Sequence, residues 1–254
     1  MAYNNCRETA SIMKTGDTST VQMTKNQEEK NYCFKLKSFI TFSRITNMVH
    51  LCAVIFVILI LFLALFGGEF VFFTWHPILM SVGWMLLLSE GVLVLNKDNS
   101  FLKNIIGTNR IFFHWTTTSV SLVFIVIGFV IAFKNKSDKN KAHFKSWHAL
   151  FGLLGAIFAT LNGFFGVLTL YNRELKNLFS PKLNKFTHIL VGTLACLFGG
   201  ISSILSVYTK WFERKTSDHL TFGIALFLVT FAVIWTLIKP VNSVSKRFQN
   251  LISL

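Results

Sequence analysis

The sequence predicts an all-α fold, a bundle of six transmembrane helices, and three observations predict it. Hydrophobic residues make up 52% of the chain and charged residues only 14%, whereas a soluble protein carries about a quarter charged residues. Six stretches of 20 or more residues hold at most one Asp, Glu, Lys or Arg each. A helix needs about 20 residues to cross the hydrocarbon core, and stretches this long and this apolar are not membrane-barrel strands.

The six stretches follow one another with short connections. The first, 45–68, comes directly after Arg44 and has no charged residue, and the second, 70–96, has only Glu90. The other four have none: 111–133, 146–172, 186–209 and 219–238. Because the connections are short, consecutive helices should be antiparallel neighbours. We therefore expect one six-helix domain over residues 44–240.

The two flanks are polar. Residues 1–40 are rich in Asn, Thr and Lys, so we expect a disordered tail, and no apolar segment of the kind that a secretory signal needs opens the chain. Residues 241–254 should form a second, short tail. If the N-terminus is cytoplasmic, 17 Lys and Arg residues lie on the cytoplasmic side and 8 on the other. This bias predicts that both tails are cytoplasmic.

The net charge of +14 would suit a nucleic-acid partner, but the basic residues lie in the connections between apolar stretches. Solvated helix ends in a membrane protein need such residues. The sequence has no basic motif interleaved with aromatic residues. We expect membrane lipid around the bundle and no nucleic-acid partner.

Four of the seven histidines stand near the starts of helices two to five: His76, His114, His148 and His188. Since consecutive helices run in opposite directions, His76 and His148 should lie near one membrane face and His114 and His188 near the other. Two histidines on different helices can bind a haem iron from both sides. Helix rise and bilayer thickness would put two such irons on the order of 20 Å apart.

Two alternatives stay open at this point. A lone histidine at a membrane boundary is more often an interfacial residue than a ligand, and His219 also starts a helix, so position alone does not select four histidines from five. Small residues follow each of the four on the same helical face, as a flat macrocycle would need: Gly83, Thr117, Thr118, Ser121, Gly152, Gly155 and Gly192. Small residues at this spacing also serve ordinary helix packing in membranes.

Several short segments resemble the cytochrome b-561 family, in its short, single-domain animal branch. They are Trp75-His76-Pro77-Ile78-Leu79-Met80 at the start of helix two, His114-Trp115, Trp147-His148, and His188. The resemblance covers about residues 44–240. It implies two b-type haems held between helices two to five, one by His76 with His148 and the other by His114 with His188. His219 has no counterpart among those ligands.

The resemblance also implies an activity. Family members transfer electrons from cytoplasmic ascorbate across the membrane to monodehydroascorbate or ferric iron, so we expect a transmembrane ascorbate-dependent oxidoreductase. The rivals are a haem-bearing membrane anchor that passes electrons to quinone or a partner protein, and a membrane protein without redox chemistry. The resemblance favours an endoplasmic reticulum or vesicle membrane and a homodimer.

Substrate residues follow from the same resemblance. Family members bind cytoplasmic ascorbate with basic residues before helices three and five, where this chain has Lys103, Arg110, Lys182 and Lys185. Cations there would attract the ascorbate anion. On the other face, His143 could bind the acceptor or move a proton. Each could equally be an ordinary solvated residue.

Two further residues have no role in this scheme. Glu90 is the one charge inside a predicted helix, and such a residue either faces a partner inside the bundle or extends to the membrane boundary, which we favour. His50 is followed on its face by bulky Val54 and Val57, so we expect a structural role for it.

Overall fold

The computed structural model describes residues 20–95, 109–178, 180–216 and 218–252. Within them, six helices are long and apolar enough to cross a membrane, which confirms the predicted number. These spans are Arg44–Phe66, Phe72–Leu93, Arg110–Asp138, Trp147–Leu170, Pro181–Lys215 and His219–Asn250. The all-α class is confirmed as well, since the described residues contain no strand.

The first span is the apolar end of a longer helix, Thr20–Phe66, so residues 20–40 are helical where we expected disorder. No glycine or proline lies between positions 17 and 66, and Gln, Glu and Lys in the polar part are good helix formers. A helix that forms in the apolar part can therefore extend toward the N-terminus at little cost. The expectation for residues 1–19 concerns positions outside the described residues.

The second span changes its helix type along its length. A short 3₁₀ turn, Phe72–Thr74, leads into the α-helix Trp75–Met80. The chain continues as a π-helix, Ser81–Leu88, and returns to α-helix over Ser89–Leu93. Pro77 lies in the first turn, where its missing N–H is not needed. π-helical turns are rare and are frequently found at functional sites.

The remaining spans are regular helices with recognisable starts. Their bounds are Arg110–Asp138, Trp147–Leu170, Pro181–Ser206 followed by Lys210–Lys215, and His219–Ile252. Ser146 Oγ accepts the N–H of Ala149, and Thr209 Oγ1 accepts the N–H of Phe212, which satisfies donors at two helix starts. The sixth helix runs through Pro240, so part of the expected C-terminal tail is helical.

The spans form two layers around the middle of the bundle. The second span packs along the third, and the fourth packs closely along the fifth. A buried apolar cluster lies where the first and sixth spans meet the second and the fifth, and includes Val49, Phe56, Met85, Val207 and Val229. Within the described part of the chain, the third and fourth spans contribute no residue to the buried part of this cluster.

Trp84 joins the two layers near the centre of the bundle. It lies in the π-helical part of the second span and is only 7% exposed. Its ring lies against Gly199 of the fifth span, where an added Cβ would be 2.2 Å from the indole, and near Gly155 of the fourth. Only glycine at position 199 leaves room for this indole.

We expect Gly199→Ala to lower the stability of the bundle by about 1–3 kcal/mol, because the methyl group overpacks the Trp84 contact. The matched control is Gly223→Ala, since a Cβ at that helical position meets nothing within 4 Å. Replacing a helical glycine by alanine there should stabilise the helix by up to about 1 kcal/mol. Thermal unfolding in detergent measures both, and equal melting temperatures for the two variants would contradict this packing.

Candidate functional site

The four histidines form two pairs that face each other across the gap between the layers. The ring centres of His76 and His148 are 6.3 Å apart, with ring planes at 84°. Those of His114 and His188 are also 6.3 Å apart, with planes at 83°. We call His76–His148 the outer pair and His114–His188 the inner pair. In each pair one histidine comes from the second or third span and the other from the fourth or fifth.

The two pairs lie at opposite ends of the bundle. His76 contacts the third span at Gly128, which is 14 residues after His114. His148 contacts the fifth span at Ser202, which is 14 residues after His188. Fourteen residues of α-helix rise about 21 Å. Both layers therefore give the same separation, close to that expected from the sequence.

Three of the four imidazoles are held from behind by a main-chain carbonyl of the neighbouring helix. His76 Nδ1 donates to Gly128 O at 2.9 Å, and His114 Nδ1 donates to Gly91 O at 2.6 Å. His148 Nδ1 donates to Ser202 O at 2.9 Å. A carbonyl oxygen only accepts, so each Nδ1 carries the proton. The Nε2 lone pair is then available on the other side of the ring, as a metal ligand requires.

His188 is held differently. Its Nδ1 has no hydrogen-bond partner within the described residues and lies near the main chain of Asn162. Gly166 of the fourth span closely approaches the ring, since a Cβ there would be 3.4 Å from His188 Cε1. Packing against the fourth span therefore orients this imidazole.

The spacing of each pair suits two axial ligands on one metal. Two metal–nitrogen bonds of about 2.0 Å, with each ring centre about 1.1 Å behind its nitrogen, place two opposed imidazole centres about 6 Å apart. The described residues contain no group of three or more His, Cys, Asp or Glu that could hold an ion by themselves. A haem iron needs only two ligands from the protein, because the porphyrin supplies the rest. The residues present therefore fit haem.

The small residues near the histidines serve helix packing. A Cβ at Gly83 would meet Ile125 of the third span at 3.1 Å. A Cβ at Gly155 would meet the main chain of Gly199 at 2.8 Å, and one at Gly192 would meet Asn162 at 2.8 Å. These contacts support the packing alternative for the glycines at these positions.

The basic residues predicted to bind ascorbate lie beside the inner pair as far as they are described. Arg110 is half-buried one turn before His114, and Lys185 is exposed one turn before His188. Lys182 is exposed at the start of the fifth span. Lys103 lies outside the described residues.

At the other end, His143 is held in a cluster of aromatic rings. It stacks on Phe133 with ring centres 4.1 Å apart, and its Nε2 is 3.3 Å from Ser137 Oγ. Phe144 beside it has a φ of 54°, a left-handed conformation that is rare for a bulky residue. The loop therefore holds His143 in one defined, half-buried position. His219, the fifth candidate, is exposed at the start of the sixth span.

One pair was missed by the sequence analysis. His50 Nδ1 lies 2.5 Å from Glu90 Oε1, and the two side chains are only 11% and 16% exposed. The expectation that Glu90 extends to the membrane boundary was wrong, because a charge inside a span is less costly when it is paired. The supporting carbonyls of Gly91, Gly128 and Ser202 were also missed, since a backbone group leaves no sequence signal.

Comparison with known proteins identifies the family of the chain. A family profile described as eukaryotic cytochrome b561 matches residues 75–214, a range that includes all four histidines. The transmembrane reductase CYB561D2 of Bos taurus is 32% identical over 201 residues, which is 79% of this chain and 89% of the relative. The Homo sapiens protein of that name is 30% identical and covers 78% of this chain and 86% of its own length.

A plant relative is more distant. The probable ascorbate-specific transmembrane electron transporter 1 of Oryza sativa is 24% identical over 165 residues, covering 64% of this chain and 67% of its own. The profile match covers more than half of the chain, and the bovine relative is matched over nearly its whole length. The chain therefore belongs to the cytochrome b561 family.

Proposed function

We propose that the chain transfers electrons from cytoplasmic ascorbate, through two b haems, to monodehydroascorbate or ferric iron on the opposite side. Its family makes it an integral, multi-pass membrane oxidoreductase of electron transport with b-type haem. The observation that carries the finer proposal is the pair of opposed histidine sites, one at each end of a single bundle. When bound, each haem supplies one reversible one-electron couple at its end of the bundle.

The chain itself would bind and orient the two groups. His76 with His148 would hold one haem, and His114 with His188 would hold the other. The carbonyl bonds to Nδ1 fix the ring orientation and make Nε2 a better donor to iron. The carbonyl oxygen of Gly91 accepts such a bond at the inner pair, and that of Gly128 accepts one at the outer pair.

The inner end would receive ascorbate. Arg110, Lys182 and Lys185 lie at that end, and Lys103 belongs to the same proposed set. Ascorbate is an anion at neutral pH, so these cations would attract and orient it. The name of the rice relative, a probable ascorbate-specific transmembrane electron transporter, supports this donor.

The outer end would pass the electron on. His143 is half-buried in its loop and close to Lys141 and Lys145 in the chain. An imidazole can bind a substrate or move the proton that accompanies ascorbate chemistry. Nearby lysines would attract an anionic iron chelate or the ascorbyl radical anion.

The proposal includes an orientation and a membrane. The excess of Lys and Arg on the side of the N-terminus supports cytoplasmic tails and an inner pair on the cytoplasmic side. The resemblance supports an endoplasmic reticulum or vesicle membrane and a homodimer.

The deciding experiment is a reduced-minus-oxidised spectrum of the purified protein with ascorbate, together with a haem count. Two b haems per chain, both reduced by ascorbate, are expected. One haem per chain would overturn the two-site arrangement. Slow reduction by ascorbate that a partner protein or quinol accelerates would favour the membrane-anchor alternative, and a protein without a b-type spectrum would leave a non-redox role.

We expect His114→Ala to remove the inner haem and to keep most of the outer one, because each pair lies about 21 Å from the other along the helices. His188→Ala should act in the same way. The matched control is His219→Ala, which changes an exposed histidine at a helix start and should keep both haems. Haem content and absorption spectra measure these outcomes. Equal loss of both haems in His114→Ala would contradict two independent sites.

We expect Lys103→Ala, Arg110→Ala, Lys182→Ala and Lys185→Ala each to raise the apparent ascorbate KM several-fold, since each removes one attractive charge. The effect should shrink at high salt, because exposed charges are screened. Lys210→Ala, at the opposite end of the bundle, is the control. Initial rates of haem reduction against ascorbate concentration measure the effect, and an unchanged KM in all four variants would reject this binding site.

A further inference from the structure

Glu90 differs from the other acidic side chains in the part of the chain that the structure describes. It lies inside the bundle, 16% exposed, and its Oε1 is 2.5 Å from His50 Nδ1. The other acidic side chains whose exposure the structure describes lie at the surface: Glu69, Asp138, Glu174, Glu213 and Asp218. An ionisable residue within a membrane span is costly and is a functional candidate by default.

The position of Glu90 connects it to the inner pair. The next residue is Gly91, whose carbonyl oxygen accepts the Nδ1–H of His114 at 2.6 Å. Glu90 is therefore the residue directly before the one whose carbonyl holds an inner histidine. The carbonyls at the outer pair belong to Gly128 and Ser202, and no residue next to either of them in the chain is ionisable. Only the inner pair has an acid beside its supporting carbonyl.

We infer that Glu90 takes up the proton that accompanies arrival of an electron at the inner haem. This inference rests on the inner haem of the proposed function. The ascorbate monoanion loses one electron and one proton as it becomes the ascorbyl radical anion. The electron reduces ferric to ferrous iron, and the proton converts the Glu90 carboxylate into a carboxylic acid. His50 Nδ1–H continues to donate to Oε1, so the hydrogen bond survives the change.

Charge balance is the physical reason for this coupling. An electron added inside a region of low dielectric constant raises the electrostatic energy strongly unless a positive charge follows it. A proton at Glu90 cancels the added charge close to where it arises, and it removes the cost of keeping a buried carboxylate charged. The electron and the proton therefore favour each other.

The part of the second span that carries Glu90 is packed against the first, third, fifth and sixth spans. Other titratable or charged groups lie on those four helices. At the end of the bundle that holds the inner pair they are Arg44, Cys52, Arg110, His114, Lys182, Lys185, His188, Cys196, Lys239, Lys246 and Arg247. His114 and His188 are proposed ligands, and the Nδ1–H of His114 is already donated to Gly91. The remaining groups are cations and two thiols. Glu90, paired with His50, is therefore the carboxylate positioned to accept the proton.

Redox titration of the haem-loaded protein tests the inference without ascorbate, with soluble mediators at several pH values. In the natural protein the midpoint potential of the inner haem should fall by about 59 mV for each tenfold drop in proton activity. In Glu90→Gln this dependence should disappear, while the outer haem should behave alike in both. Glu213→Gln, an exposed acid, is the control and should keep the dependence.

A second readout is independent of the variant. Infrared difference spectra between the oxidised and reduced natural protein should show a protonated carboxyl band appear on reduction. The band should be absent in Glu90→Gln and present in Glu213→Gln. If Glu90→Gln failed to hold the inner haem, absence of the band in the natural protein would still overturn the inference, and Glu90→Asp, which keeps a carboxyl group, should shift the band if it arises from this position.

The outcomes separate this inference from the proposed function. A pH-independent inner potential, a dependence that survives in Glu90→Gln, or no carboxyl band in the natural protein would each overturn the role of Glu90. A protein that mediators reduce with the expected dependence, but that ascorbate does not reduce, would overturn the ascorbate proposal alone. A chain that binds no haem would overturn both.

Discussion

Hydrogen bonds from imidazole Nδ1 to main-chain carbonyls are the interactions on which the arrangement of the site depends. Each joins a histidine to the neighbouring helix of its own layer, as His76 is joined to Gly128 and His148 to Ser202. Each leaves the Nε2 lone pair unused by the Nδ1 hydrogen bond. A carbonyl in a helix is already fixed by its own backbone, so the ring it holds is fixed as well. The fixed rings leave between the two layers the distance that two opposed imidazoles on one metal need. No additional side chain between the helices is required to keep that distance.

The inner and outer pairs share this geometry but differ in what surrounds it. Both have ring centres 6.3 Å apart and nearly perpendicular planes. The outer carbonyl belongs to an apolar stretch, whereas the inner one follows Glu90, which is paired with His50. Two groups of the same chemical kind can therefore have different redox properties because of their environment. A difference of this sort would give transfer between the two ends a direction.

Sequence reasoning found the features that depend on composition and spacing. Six apolar stretches gave the spans, and alternation of helix direction placed His76 with His148 on one face and His114 with His188 on the other, as the structure has them. Choosing four histidines from five needed the family resemblance. The His50–Glu90 pair lay beyond reach because the two residues are 40 positions apart and their contact depends on how the first span is rotated. The structure shows how His76, His114, His148 and His188 are paired. That these four histidines bind haem stays a prediction.

The π-helical turn explains why the direction of the Glu90 side chain on the second span could not be read from the sequence. The second span carries His76 at one end and Gly91 at the other, and the π-helix Ser81–Leu88 lies between them. A residue in a wider turn rotates the chain by less than it would in an α-helix, so everything after the turn faces a different direction. This shift sets where the Gly91 carbonyl and the Glu90 side chain point, and it also directs Trp84 toward Gly199. In an uninterrupted α-helix of the same sequence, His76 could keep its position, but the Gly91 carbonyl would face a different direction and would not meet His114. The wide turn therefore allows one span to carry a histidine of the outer pair and the carbonyl that holds a histidine of the inner pair.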